Sequence, residues 1–326
     1  MDASLSDWLL DSDPALRWQV ERDLLGADEL VWQTTRARVA SEGFGAALLA
    51  KQDPDGRWAG GAYFPGDFDF EGPEAQPGAG QPWTATTWSL NFLRDWGTPA
   101  SALGDTANRL AVGCRWEYED LPYWGGETDC CINAFTLANG QWLGADVAGI
   151  GQWFVDHEMA EGGWNCEWVE GSTRASIHST LNSLKGIYEY QLAGQGSPEL
   201  DAARVRAEEY LLQRELLHKL TDGEPLVSGI TDFRYPLVWR YSTLNVMDYF
   251  RKSYLLRGQA PDARMAKAVQ TIRDLQQPDG RWVQAGRIPG RMWFEVDVPA
   301  GEPSKWVTFL ALRVLSWWDE QTGSER

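Results

Sequence analysis

Gln52-Asp-Pro-Asp-Gly56-Arg-Trp58 recurs as Gln276-Gln-Pro-Asp-Gly280-Arg-Trp282 and, with Glu in the first place, as Glu158-Met-Ala-Glu-Gly162-Gly-Trp164. Each copy follows an amphipathic stretch (37–50, 145–155, 262–275) and leads through a loop to a more apolar helix. The glycine supplies a helix stop, and Pro-Asp-Gly or Glu-Gly-Gly supplies the turn. The Gln or Glu can hydrogen-bond neighbouring backbone while the Trp packs over the turn. One such segment is an ordinary turn; three make a repeat.

Working outward, apolar helices are predicted over 16–25, 84–96, 129–140, 176–188, 239–250 and 305–318. Most follow a more polar helix, as over 201–218 and 262–276, whose charges fall on one face. No alternating Val/Ile-rich run competes as a strand. Apolar helices paired with polar ones about six times predict an all-α fold, an (α/α)6 toroid of six hairpins with an inner and an outer ring. The expected domain is a single toroid over 1–326. Two Pro/Gly-rich stretches, 64–82 and 285–303, are read as long loops near one mouth.

Composition sets the outer limits. With 47 acidic against 29 basic residues in 326, the net charge is −18, which excludes a nucleic-acid binder and disfavours an anionic membrane surface. There is no apolar run of the ~20 residues that a membrane span needs. The first ten residues are acidic and lack a secretion-signal pattern, and four cysteines make no disulfide framework, so a cytoplasmic address is expected.

The Gln-x-x-x-Gly-x-Trp segments at Gln52, Gln276 and Glu158 resemble the repeat of the terpenoid cyclase and protein prenyltransferase superfamily, most closely a bacterial single-toroid branch. The resemblance runs from Trp18 to Trp318 and implies the toroid fold. It implies activity more weakly, because toroids host unrelated functions.

Aligning the inner helices on Leu137 and Leu184 puts Cys131 and His178 at one level of adjacent helices, with Asp129 two residues earlier at the N-cap. Helix axes roughly 8–10 Å apart would let Asp129, Cys131 and His178 converge on one ion. These are ordinary zinc ligands, and three of them leave an open position suited to catalysis. The trio also resembles the zinc site of prenyltransferase β subunits, where Asp-x-Cys opens one inner helix and His the next. Cys166 and His157 border the same region as reserve ligands, and Cys130 is a further candidate; Glu127 is a candidate general base beside Asp129. The bland alternative is that the cysteines are small buried hydrophobes and His178 a core histidine.

The chain departs from the prenyltransferase pattern where Arg and Lys would hold a diphosphate: Pro122-Tyr123-Trp124-Gly125-Gly126-Glu127 carries no cation. Asp129-Cys130-Cys131-Ile132 echoes the Asp-Cys-Thr-Ala acid of oxidosqualene cyclases, and Asp67-Phe-Asp69-Phe-Glu71 only approximates the squalene–hopene acid. The same register selects Trp18, Thr87, Tyr241 and Trp306 as an aromatic-rich pocket, with Arg240 and Arg291 as candidate anion ligands.

The leading expectation is a zinc-dependent enzyme acting on a small hydrophobic, isoprenoid-like substrate in the central cavity. The alternatives are a metal-free cyclase with Asp129 as acid, a carbohydrate-active toroid with stacking Trp and paired carboxylates, and a non-catalytic binding protein.

Overall fold

The computed structural model describes residues 2–323; the expected domain also takes in residues 1 and 324–326, which lie outside the described residues. Thirteen α-helices follow in order: α1 (Ala3–Leu10), α2 (Pro14–Asp23), α3 (Glu29–Arg38), α4 (Gly43–Leu49), α5 (Thr86–Asp95), α6 (Thr106–Gly113), α7 (Cys130–Leu143), α8 (Ala148–Asp156), α9 (Ile177–Leu192), α10 (Pro198–Leu212), α11 (Thr243–Arg257), α12 (Ala266–Asp274) and α13 (Lys305–Thr322). Isolated bridges are the only β pairing among the described residues. Among the described residues no helix is long and apolar enough to cross a membrane.

The repeat works as a clamp. The indole of each repeat Trp donates to a carbonyl ten residues back: Trp58 to Leu48, Trp164 to Phe154 and Trp282 to Ile272, at 2.8–2.9 Å. The backbone N–H of the same Trp donates forward, to Thr86, Thr180 or Thr308 Oγ1 in the first turns of α5, α9 and α13. Each repeat therefore fastens an outer helix to the following inner one, with the indole fully buried. Gln52 and Gln276 amides close the turn on the Gly56 and Gly280 carbonyls. These glycines, and Gly162, sit at φ of +82° to +91°, which a side chain would strain. Glu158 cannot donate as the glutamines do and instead pairs with Arg206 of α10.

Polar contacts between neighbours trace the inner ring α2–α5–α7–α9–α11–α13. Gln19 of α2 donates to the Asp95 carbonyl at the end of α5. Asn139 of α7 donates to Asn91 of α5 at 2.9 Å. α7 and α9 approach so closely that a Cβ on Gly186 would fall 2.4 Å from the Ala134 carbonyl oxygen. Lys185 of α9 donates to Asn245 of α11. Arg313 of α13 then reaches both Asp248 of α11 and Asp23 of α2, closing the ring. Inner helices are buried along most of their length, as over Thr86–Leu93, whereas α12 buries only Ala268, Val269 and Ile272. The architecture is the α/α toroid expected from the repeats.

The predicted inner helices agree with the observed ones to within a few residues. The exception is α11, which runs on to Arg257 instead of ending at 250 and starts at Thr243 instead of 239 because Ser242 is extended and caps Asn245 N–H. The two long loops meet each other: Trp83 donates from its backbone to the Arg291 carbonyl and from its indole to Pro289. Trp8 of α1 lies under Arg281, and Lys305 reaches Asp11, so both ends of the chain share one seam.

Candidate active site

The start of α7 is shaped by a loop that caps its own helix. Glu127 accepts from the Asp129 N–H at 2.5 Å and from Thr128 Oγ1 at 3.2 Å. Asn133, one turn into α7, holds Glu127 by two 2.7 Å bonds, its Oδ1 accepting from the Glu127 N–H and its Nδ2 donating to the Glu127 carbonyl. Glu127 thus takes the capping role, and Asp129, although the N-cap residue, makes no side-chain cap bond. Burial raises both carboxyls; for Asp129 the charge of Cys166 and then Glu127 add to it, bringing it to about 7.

Three sulfurs converge beside this carboxylate. Cys166 opens a 3₁₀ turn just after the Trp164 clamp, and Asn165 caps that turn at Glu167. Its Sγ lies 3.5 Å from Cys130 Sγ, and the Sγ atoms of Cys130, Cys131 and Cys166 all fall within 4.8 Å of one another. Hydrogen bonds from the two neighbouring thiols, and from Ser179, hold the Cys166 thiol well below its usual range, whereas burial pushes Cys130 up. Asn182 of α9 donates to Cys131 Sγ at 3.6 Å and to the Trp239 carbonyl at 2.9 Å.

The expected partners of Cys131 sit differently. His178 Nδ1 accepts from the Tyr241 N–H at 3.0 Å, and its ring meets Trp239 edge-on. Burial, and then Arg240, hold the imidazole below its ordinary pKa, so it is neutral with the proton on Nε2, a tautomer that offers a metal no free lone pair. Among the described residues the gathered ligand group is the three cysteines; Asp129 and His178 are outside it. The reserve ligand His157 is stacked on Trp153 at 4.2 Å and bonded to that residue's carbonyl. A tetrahedral zinc with bonds of about 2.3 Å sets its sulfurs about 3.8 Å apart, so the three thiols fit a metal by spacing and chemistry.

One helical turn past the sulfurs, a cavity of about 480 Å³ opens inside the ring. Ala134 and Phe135, three and four residues after Cys131, line it on α7; Lys185 and Gly186 do so on α9. Of the expected pocket residues, Trp18 and Trp306 line the cavity, and Trp306 stacks on Tyr235 at 4.1 Å. Thr87 is bonded to Tyr123 instead, and the Tyr241 hydroxyl donates to the Leu216 carbonyl. Arg240 donates to Ser228, and Arg291 bridges to Asp67 and Glu74 across the loops. Tyr63 has no place in the motif reading. It packs on the cavity residue Trp88 at 5.0 Å and lies near enough to Cys131, Cys166 and Asp129 for their charges to add to burial in raising its phenol.

No protein-family model and no curated protein matches the chain. Among solved structures it is similar to a protein from Actinoplanes, at 16% identity over 94% of this chain and 90% of that one, with a TM-score of 0.43. It is also similar to the apo type II terpene cyclase MstE from Scytonema, at 14% identity over 89% and 98%, with a TM-score of 0.37.

Proposed function

We propose that the protein is a zinc-dependent enzyme whose metal is held by Cys130, Cys131 and Cys166 and whose hydrophobic substrate occupies the central cavity. The observation that carries this is the convergence of three sulfurs, two of them on α7 one helical turn before the cavity residues Ala134 and Phe135. A bound zinc would supply Lewis-acid activation of a thiol, water or substrate oxygen. The chain's own groups have distinct tasks. Asp129 is the uncommitted carboxyl beside the sulfurs and can take or give a proton; Glu127 fixes the helix start that aims it. Asn182 orients Cys131, and Tyr63 packs against the cavity residue Trp88.

Zinc content of the purified chain, prepared without chelators, tests this. Wild type is expected to hold roughly one zinc, Cys166→Ala to lose it, and His178→Ala to keep it. Wild type with less than roughly a tenth of an equivalent would end the proposal. A second reading, metal-free protonation by Asp129, is favoured by that carboxyl's lack of a cap bond. It requires turnover of a polyprenyl substrate by zinc-free protein, lost in Asp129→Asn.

A further inference from the structure

The wall of the central cavity is cationic inside an anionic protein: six Lys and Arg side chains face three carboxylates there, in a chain of net charge −18. Most of these cations are already committed. Arg313 and Lys252 share Asp248, Arg22 pairs with Asp23, and Arg36 lies over Trp18 and donates to the Gly97 carbonyl. Two have no buried carboxylate partner. Lys185, midway along α9, has no carboxylate partner among the described residues; its one bond is to the Asn245 amide oxygen at 3.4 Å. Arg94 of α5 has Asp95, whose side chain is 58% exposed, as its one carboxylate partner among the described residues; its Nη1 donates to Asn139 and Asn91, and its Nε is buried without a partner.

Burial holds Lys185 below its ordinary pKa; of the charges around it, Asp95 and Asp248 favour its cation and Lys252 and Arg94 oppose it. Two like charges on an enclosed wall are costly unless an anion joins them. Trp88, Phe92, Phe135 and Trp306 give the same wall an aromatic side. We propose that the cavity binds an amphiphile with a single anionic head, a carboxylate or a phosphate monoester, held between Lys185 and Arg94 with its apolar body against the aromatic wall. Lys185 supplies a point charge and Arg94 a fork of donors, which suits both head groups. The cavity volume falls in the range of small-molecule sites. This rests on the cavity being the substrate chamber, as proposed above, and not on the metal. It places the anion site on Arg94 in the last turn of α5 and Lys185 midway along α9, and not on Arg240 or Arg291.

The test is calorimetric titration of the full chain with decyl phosphate, decanoate and decanol, with zinc content and melting temperature measured in parallel. The better anion is expected to bind at least about tenfold tighter than decanol, and its identity distinguishes phosphate from carboxylate. Lys185→Met is expected to reduce that preference to within about threefold, and Lys185→Arg to retain it. Arg94→Gln is read in the same way should Lys185→Met fail to fold. Equal affinity for anion and alcohol, binding of none of the three, or an undiminished preference in a folded Lys185→Met overturns the proposal. Because zinc content is read separately, each of these failures leaves the metal assignment standing or falling on its own.

Discussion

Replacing Arg313 by Met would remove the one side chain that ties the last inner helix to both α11 and α2. The guanidinium is 4% exposed, and its partners Asp248 and Asp23 are 5% and 6% exposed. Removing one partner of a buried pair typically costs about 3–5 kcal/mol. Lys252 at 3.2 Å from Asp248 and Arg251 at 3.7 Å from Asp23 would remain, which places the expected loss at the low end, about 3 kcal/mol. The pH dependence has a definite sign. Burial alone would raise Asp248, but Arg313, Lys252 and Arg251 outweigh it and hold the folded carboxyl well below its ordinary value. A carboxyl so depressed adds stability above its unfolded pKa of about 3.9, and that contribution fades as pH falls toward the folded value. Urea unfolding at pH 7 and pH 4 reads both effects. Arg313→Met should lose about 3 kcal/mol at the higher pH and less at the lower. The double variant Arg313→Met/Asp248→Leu should regain part of the loss. A deficit below about 1 kcal/mol at pH 7, or one equal at both pH values, would refute the reasoning.

Other outcomes follow from the same geometry. Thr308→Val leaves the buried Trp282 N–H without its 3.0 Å acceptor and should cost about 1–3 kcal/mol in urea unfolding. Arg291→Ala removes the bridge to Asp67 and Glu74, so limited proteolysis within 64–82 should accelerate while the melting temperature hardly moves. Gly290 sits at φ +131°, and a Cβ there would lie 1.7 Å from the Gln81 carbonyl oxygen. Gly290→Ala should therefore part the two loops, lowering the melting temperature and increasing acrylamide quenching of Trp83.

The toroid could be read from the sequence because its decisive contacts are local. Each repeat Trp bonds a carbonyl ten residues away, and each turn glycine lies within the motif itself. The inner helices are nearly as legible: a polar cap residue precedes an apolar run at Ser176 and Ser304, whereas α11 starts after its cap Ser242 and not at 239. At the candidate site the register points to Cys131, but Cys166 stands in the sequence only as a reserve ligand, behind Asp129 and His178. Cys166 arrives through a 3₁₀ turn whose direction depends on Asn165, Ser172 and Ser179, and no periodicity predicts that. Lys185 and Arg94 went unnoticed for a related reason. On a helix wheel they are ordinary charges, and only the ring shows that they share a wall. Of the two arginines singled out as anion ligands, Arg291 instead found Asp67 and Glu74, and Arg240 the Ser228 carbonyl.

The seam where Trp8 meets Arg281 and Lys305 meets Asp11 bears on how the chain acquires its structure. Contacts across it join residues nearly three hundred positions apart, among them Arg313 to Gln19 at a separation of 294. Such pairings raise contact order and delay the rate-limiting step until the last helix is in hand. During synthesis, α2 and α5 can dock, yet the chamber between them stays an open arc with its aromatic wall facing solvent. Aggregation is most to be feared in that interval, and the surplus of negative charge on the outer surface is the feature that would keep such arcs apart.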